Sequence, residues 1–171
     1  MDRGFGAFYG TIPIPPSAWS RIFMRWDEPV TVSSFTAIDT LRLGALHLPD
    51  SVFSDNHDDP DNVARLLRIP INDTEYYLAE VRRRDPEEDS LSYGWDRDGR
   101  MITFYDDYSW EVEDGFRVAV TYSDYDFDLP SSGVLLWHID DQLIRNRYAD
   151  DRIQNDFDKR GIRLQEADGT W

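Results

Sequence analysis

Near the start of the chain, the spacing of large apolar side chains predicts one amphipathic helix. Four of them stand at positions i, i+3, i+4 and i+7, so a helix would place them on one face. They are Trp19, Ile22, Phe23 and Trp26. Ser17, just before them, is a favourable N-cap residue. We therefore predict a helix over about 17–26 whose apolar face packs in a core.

After this helix, apolar positions recur every second residue, which is the period of half-buried strands. The segments with this pattern, or with short apolar runs between turns, are 30–32, 41–43, 46–48, 63–71, 75–83, 91–95, 101–105, 110–112, 116–122, 134–139 and 162–165. A second short helix is predicted near 141–148. The predicted fold is mainly β, an antiparallel β-sandwich or a partly open barrel, with 1–171 as a single domain.

Two Asp-Gly pairs mark predicted hairpin turns, because both central positions of such a turn need a positive φ angle. One pair, Asp98-Gly99, joins 91–95 to 101–105, and the other, Asp114-Gly115, joins 110–112 to 116–122. The sequence therefore predicts two consecutive hairpins in this part of the chain.

The segment 134–139 is apolar on both faces apart from His138, which predicts a central, buried strand. His138 and Asp140 share one face of that strand and lead from the core toward its rim. A buried His beside a carboxylate is usually a satisfied structural pair, and Glu80 in 75–83 is a candidate partner. We therefore interpret His138 as structural.

Charge and composition narrow the possible functions. The chain has 34 acidic and 18 basic side chains, a net charge of −16, so we expect it to repel nucleic acid and attract cations. It contains no Cys, which excludes disulfides, thiolate zinc sites and a Cys nucleophile. Its apolar runs are too short to cross a bilayer.

The residues required for catalysis are not arranged in any familiar pattern. The histidines are His47, His57 and His138, and no two of them are spaced as a zinc-binding pair on a helix. Ser131-Ser132-Gly133 lacks the Gly-x-Ser-x-Gly context of a serine hydrolase. A pair of carboxylates for glycoside hydrolysis is available in any chain this acidic, so it carries little information. We predict no catalytic residue.

Calcium is the metal that the sequence favours, since oxygen ligands that alternate along a loop can converge on a hard cation. The candidate ligands are Asp126, Asp128, Asp140, Asn155, Asp156 and Asp158. The alternative interpretation is that these residues lie in solvated turns or protect strand edges from pairing with other chains.

Four stretches, taken in order, resemble M6-family metallopeptidases, the group that contains immune inhibitor A. They are the helical segment 16–26, the Tyr-Tyr-Leu-Ala-Glu-Val-Arg strand within 75–82, the Leu-Leu-Trp-His-Ile-Asp strand within 129–140, and 155–169 with its Ala-Asp-Gly end. The positions that carry the resemblance are Trp19, Trp26, Glu80, His138, Asp140, Glu166 and Asp168. Segment 85–128 resembles an insertion of hairpins between the second and third stretches, and Arg25 stands where the family commonly has Gly.

The resemblance implies that the parent protein is a secreted, bacterial zinc endopeptidase and that this chain is the region after its zinc-binding helix. Zinc and the His-Glu-x-x-His helix are then expected upstream of Met1. The implied partners are the upstream peptidase domain of the same polypeptide and, through it, protein or peptide substrates. The chain itself is expected to be a non-catalytic, extracellular accessory region that braces the peptidase.

Two other hypotheses remain open from the sequence. The first is a free-standing β module that binds carbohydrate or peptide through exposed aromatic residues, for which Trp95 and Trp110 are candidates. The second is a hydrolase with a pair of acids, which turnover of glycosides by the metal-free protein would reveal.

Overall fold

The computed structural model describes residues 15–32, 41–48, 50–53, 63–105, 109–112, 118–127, 129, 131–156 and 158–165. They fall into two compact units. The first, which we call the sheet-and-helix unit, combines Pro16–Val81 with Val134–Trp171, and the second, the meander unit, combines Met1–Pro15 with Arg82–Gly133. Segment 85–128, predicted as an insertion, lies within the meander unit.

Two α-helices form within the described ranges, α1 (Ala18–Phe23) and α2 (Asp141–Arg147). Both predicted helices are therefore present, and α1 begins where the sequence placed it, since the Ser17 side chain accepts the Ser20 N–H. Helix α1 is shorter than predicted, however, and a 3₁₀ turn covers Asp50–Val52.

The early end of α1 has a clear cause in its backbone. The N–H of Arg25 bonds to the carbonyl of Ile22, and the N–H of Trp26 bonds to the carbonyl of Arg21. This pair of bonds is the Schellman motif, which requires a left-handed residue just after the helix. Arg25 is that residue, with φ of 59°.

The described strands, in chain order, are β1 (Val30–Thr31), β2 (Arg42–Leu43), β3 (Val63–Ala64), β4 (Leu67–Pro70), β5 (Glu75–Arg82), β6 (Leu91–Trp95), β7 (Met101–Tyr105), β8 (Trp110–Val112), β9 (Thr121–Tyr122), β10 (Gly133–Asp140) and β11 (Ile162–Leu164). The prediction of a mainly β fold is confirmed. No sheet closes into a barrel in the described part of the chain. No described helix has the length and apolar character needed to span a membrane.

The sheet-and-helix unit contains a five-stranded sheet in the order β1-β4-β5-β10-β11 and a separate β2–β3 pair. The pairs β1–β4 and β2–β3 are parallel, whereas the sequence predicted antiparallel pairing throughout. The predicted strand 63–71 is divided, because β3 joins β2 while β4 joins β1 and β5. The predicted strand 46–48 is instead a turn and bend.

Alternation along β5 separates two apolar clusters in this unit. Leu78 and Leu66 belong to the cluster that contains Ala18 of α1 and Ile144 of α2. Ala79, next to Leu78 in sequence, belongs to the other cluster, with residues of β3 and β4. The two helices therefore cover one face of the sheet.

Strand β10 differs from its prediction in burial. It lies between β5 and β11, so it is an interior strand, but only Ile139 along its length is buried. Val134 at its beginning is 64% exposed. The cluster under the helices reaches Ile139 and, in part, Trp137, which explains why burial is limited to the end of the strand.

The meander unit contains a four-stranded sheet in the order β8-β7-β6-β9, with antiparallel pairing throughout. The hairpin at Asp98-Gly99 is confirmed, but the predicted positive φ at both positions is wrong, since Gly99 has φ of 76° and Asp98 does not have a positive φ. The second predicted hairpin is wrong, because β8 and β9 lie on opposite edges of the sheet and do not pair. The predicted turn at Asp114-Gly115 lies outside the described residues.

The core of the meander unit consists of side chains from the sheet and the segment after it: Ile102, Phe104, Ala119, Tyr122 and Phe127. The two ends of its Arg82–Gly133 segment lie close together, since the N–H of Arg84 donates to the Ser132 hydroxyl at 2.9 Å. The chain therefore leaves β5 and returns to β10 at neighbouring positions.

Candidate functional site

The most organised polar cluster in the described residues surrounds the carboxylate of Glu80 on β5. Glu80 is 1% exposed. Its Oε1 accepts the indole N–H of Trp137 on β10 at 2.8 Å, and its Oε2 lies 2.9 Å from a guanidinium nitrogen of Arg21 on α1. An ionised carboxylate this deeply buried requires such partners, because burial without them costs several kcal/mol per charge.

Arg21 links this cluster to the surroundings of α1. Its Nε donates to Asp27 at 2.6 Å, and a terminal nitrogen donates to the carbonyl of Pro16 at 2.8 Å. The guanidinium therefore binds groups before, after and beneath the helix, and its planar array of donors suits this role. Together these bonds tie α1 to the middle of the five-stranded sheet.

His138 has a different partner from the one considered in the sequence. Its Nε2 lies 3.0 Å from Oε2 of Glu75, whereas Glu80 binds Trp137 and Arg21. The alternation of side chains explains this correction: Trp137 and His138 point to opposite faces, as do Glu80 and Glu75, so each carboxylate meets one of the two rings. His138 also packs against the ring of Tyr77, with centroids 5.5 Å apart.

The pair at His138 is partly exposed, and Glu75 is held in its ionised form. A hydrogen bond from the Asn72 side chain is the main cause that lowers the pKa of Glu75, with smaller contributions from His138. Asn72 also accepts the N–H groups of Thr74 and Glu75 and so shapes the turn before β5. The pair thus fastens the start of β5 to β10, which agrees with a structural interpretation of His138.

Asp140 and Asp141 perform two separate tasks at the end of β10. The Asp140 side chain accepts the N–H of Leu143 at 2.8 Å and caps α2. Asp141 accepts the hydroxyl of Tyr76 at 3.2 Å. Burial, followed by the charge of Asp141, raises the pKa of Tyr76, so this phenol remains a donor under all ordinary conditions.

The candidate calcium ligands occupy several local environments. Asp126 is buried and forms an ion pair with Arg82 at 2.9 Å, and Asp140 is the helix cap described above. Asn155, Asp156 and Asp158 share one turn, in which Asp156 accepts the N–H of Asp158 and lies 3.5 Å from Arg147. Among the residues that the structure describes, no three His, Asp or Glu side chains converge as a metal site. Calcium binding stays a prediction.

Several predicted positions lie outside the described residues, namely His57, Asp128, Glu166, Asp168 and the side chain of Trp110. Of the remaining family-like positions, Trp19 is partly buried against the helix-side core, whereas Trp26 is 64% exposed. His47 is exposed in a turn, and Trp95 is exposed at the end of β6.

Sequence reasoning missed Arg21, Glu75 and Trp137 as members of these clusters. For Arg21, the sequence signal was its position on the same turns of the predicted helix as the apolar stripe. In the structure it is 5% exposed. A charged residue beside such a stripe, with an acidic residue in a strand predicted to be buried, indicates an ion pair. The identity of its partner depends on the β5–β10 register, which the sequence does not contain.

We compared the chain with protein-family models, with curated proteins and with solved structures, and none of them matches it.

Proposed function

We propose that this chain is the non-catalytic region that follows the zinc-binding helix of a secreted M6-like metallopeptidase, where it braces the peptidase. In this proposal, proteolysis and zinc binding belong to the upstream part of the same polypeptide. The role of the chain is to supply a rigid sheet with a helix fixed on it.

One observation carries the proposal. Parts of all four stretches that resemble the M6 family, which are far apart in sequence, lie in the sheet-and-helix unit. Arg21 from the first binds Glu80 from the second, and Glu80 accepts a hydrogen bond from Trp137 of the third. Residues of the fourth, in β11, pair directly with Trp137–Ile139 of β10.

Unrelated chance similarities would have no reason to form one contiguous core with shared polar contacts. The departure at Arg25 fits the same interpretation. This position has a left-handed φ of 59°, where Gly is the favoured residue, and Gly is what the family commonly has there. We therefore expect Arg at this position to lower the stability of the helix end.

The first test concerns activity. The purified 171-residue chain is incubated with casein, with and without a zinc chelator, and no cleavage is expected in either case. Chelator-sensitive cleavage by the chain alone would overturn the non-catalytic assignment. The natural polypeptide that contains the chain is assayed in parallel and is expected to cleave casein until zinc is removed. A natural polypeptide without a His-Glu-x-x-His segment would overturn the parentage.

The second test concerns the bracing role and uses the natural polypeptide. Glu80→Ala is expected to reduce the yield of folded, secreted peptidase while leaving KM of the surviving enzyme unchanged, because Glu80 contacts helix and sheet rather than substrate. Glu88→Ala, an exposed carboxylate of the meander unit, is the matched control and should leave the yield unchanged. A selective change in KM would contradict the bracing role.

Calcium stabilisation is tested separately from the catalytic and bracing roles. Thermal unfolding is measured with excess Ca²⁺ and with chelator, and a ligand at a hundred times its Kd should add about 2.7 kcal/mol to the free energy of unfolding. The double variant Asp156→Asn with Asp158→Asn is expected to remove the increment if the turn at 155–158 is the site. An unchanged unfolding curve in Ca²⁺ would count against calcium altogether.

A further inference from the structure

A groove beside α1 has the features of a ligand site that the proposed function does not use. It lies entirely in the sheet-and-helix unit, between α1 and α2, and encloses about 480 Å³. Ile22 and Ile144 form part of its lining, with Ile144 contributing to the buried core. This volume is within the range of about 300–1,000 Å³ typical of small-molecule sites.

The lining of the groove includes a row of aromatic rings. Trp19 and Phe23 are stacked with centroids 5.0 Å apart and an interplanar angle of 17°, and Phe23 lies 5.7 Å from the ring of Tyr148. Phe23 is 56% exposed and Tyr148 is 53% exposed. Phe23 and Tyr148 therefore present apolar ring surface to solvent instead of burying it in the core beneath.

The lining also includes one acidic and one basic group. Asp141 accepts the Tyr76 hydroxyl with one oxygen, which leaves its carboxylate with further acceptor capacity. Arg145 also lines the groove and is exposed, and its side chain forms no hydrogen bond or ion pair with another residue in the described part of the chain. Its guanidinium offers several donors.

These features together select the chemistry of a ligand. An anion would meet Asp141 and a cation would meet Arg145, so the charges favour a neutral molecule. A purely apolar side chain would stack on the rings but would strip water from both charged groups without replacing their hydrogen bonds. A ligand with an apolar face and a rim of hydroxyl groups can stack on the rings and also form hydrogen bonds with both charged groups.

We propose that this groove binds a pyranose unit of a neutral oligosaccharide, with the C–H face of the sugar on Phe23 and Tyr148 and its hydroxyls bonded to Asp141 and Arg145. The site would let the protein attach to a glycan surface. It is independent of the proposed relation to a peptidase, since it uses only groups of this chain.

The test is isothermal titration calorimetry of the whole chain with three neutral tetrasaccharides: cellotetraose, mannotetraose and chitotetraose. At least one is expected to bind. Phe23→Ala should weaken that binding by about fivefold, because ring stacking of this kind contributes on the order of 1 kcal/mol. Arg145→Met, which keeps an unbranched apolar stem and removes the donors, should weaken it to a similar extent.

Trp26→Ala is the matched control. Trp26 is the more exposed aromatic residue at the same end of α1, but it lines a different groove. Its replacement should leave the affinity unchanged. If Phe23→Ala does not fold, as judged by circular dichroism, the result from Arg145→Met decides. The proposal is overturned if none of the three saccharides binds, if the folded variants bind as well as the parent, or if the groove takes only an apolar peptide.

Discussion

The two units of this protein obtain their sheets in different ways. In the meander unit, β6, β7 and β8 pair with their immediate neighbours in the chain. In the sheet-and-helix unit, β1 pairs with β4, and β5 lies beside β10 although the whole meander unit separates them in sequence. Contacts between distant segments carry a larger entropy of closure, so the second sheet requires stronger interactions to fix its order.

Among the described residues, each unit has a buried arginine–carboxylate pair, and these two pairs differ in what they connect. Arg82 and Asp126 join the start of the meander unit to the segment after its last strand. Arg21 and Glu80 join a helix to the central strand of the larger sheet, and Trp137 adds a third element to the cluster. The polar link in the sheet with the more distant strands thus joins three elements, α1, β5 and β10.

The largest expected effect comes from breaking that link. Glu80→Ala should destabilise the sheet-and-helix unit by about 3 kcal/mol, the lower end for a broken buried ion pair. Among the described residues, Arg21 would lose its buried partner and keep only Asp27 and the Pro16 carbonyl, and the indole N–H of Trp137 would lose its acceptor. Urea unfolding followed by tryptophan fluorescence measures the loss. Asp126→Ala is the parallel variant in the meander unit, and each variant should shift a different unfolding transition. A single transition shifted equally by both would show that the two units unfold together.

The next effect tests packing in the meander unit. A Cβ at Gly94 would lie 2.8 Å from the Cβ of Ala119 and 3.1 Å from the ring of Phe104. Gly94→Ala should therefore cost about 1–3 kcal/mol through overpacking. At Gly133 a Cβ meets nothing within 4 Å, so Gly133→Ala is the control and should change the thermal midpoint little. Equal stability of the two variants would contradict the close contact of β6 with the core.

A smaller effect of opposite sign is expected at Arg25. A non-glycine residue in the left-handed region costs about 1–2 kcal/mol, and Gly also has greater freedom in the unfolded chain. Arg25→Gly should therefore stabilise the sheet-and-helix unit by about 1 kcal/mol. Arg25→Ala retains the strained φ and serves as the control, with little gain expected. Thermal melts that rank Ala above Gly would refute the assignment of strain.

The smallest effect is a dependence on pH in the meander unit. Burial is the main cause that raises the pKa of Asp124, with Glu87 and Asp85 adding to it, while a hydrogen bond from Ser123 opposes it. Since the folded form binds its proton more tightly, stability falls as pH rises from the ordinary value of 3.8 through the raised pKa. Asp124→Asn should remove this loss.

The variant should therefore melt higher than the parent at about pH 7, and the difference should close as pH falls toward the ordinary aspartate value. Differential scanning calorimetry across this range measures the gap. A difference that persists unchanged at acidic pH would indicate a packing effect instead of a titration.

The sequence predicts local features of this fold better than distant ones. Ser17 marks the start of α1, and Asp98-Gly99 marks a hairpin, since each acts on residues within a few positions. The partner of β9 and the parallel β1–β4 pair depend on segments far away, and no local pattern encodes them.

The candidate site shows the same limit. The importance of Glu80 was visible from the resemblance of its strand to a family motif, but its contacts were not. Whether it meets Trp137 or His138 depends on which faces of β5 and β10 coincide, and that register is set by the assembled sheet. Charge alone did not identify Arg21, because an arginine on a short helix is usually solvated.

The neighbouring positions of Arg84 and Ser132 have a consequence for insertion and deletion of the segment between them. Because the outgoing and returning segments run side by side, a single tight turn would be enough to rejoin β5 and β10 if everything between them were deleted. The segment between Arg84 and Ser132 could therefore be inserted, exchanged or removed at one point of the chain without changing the strand order of the five-stranded sheet.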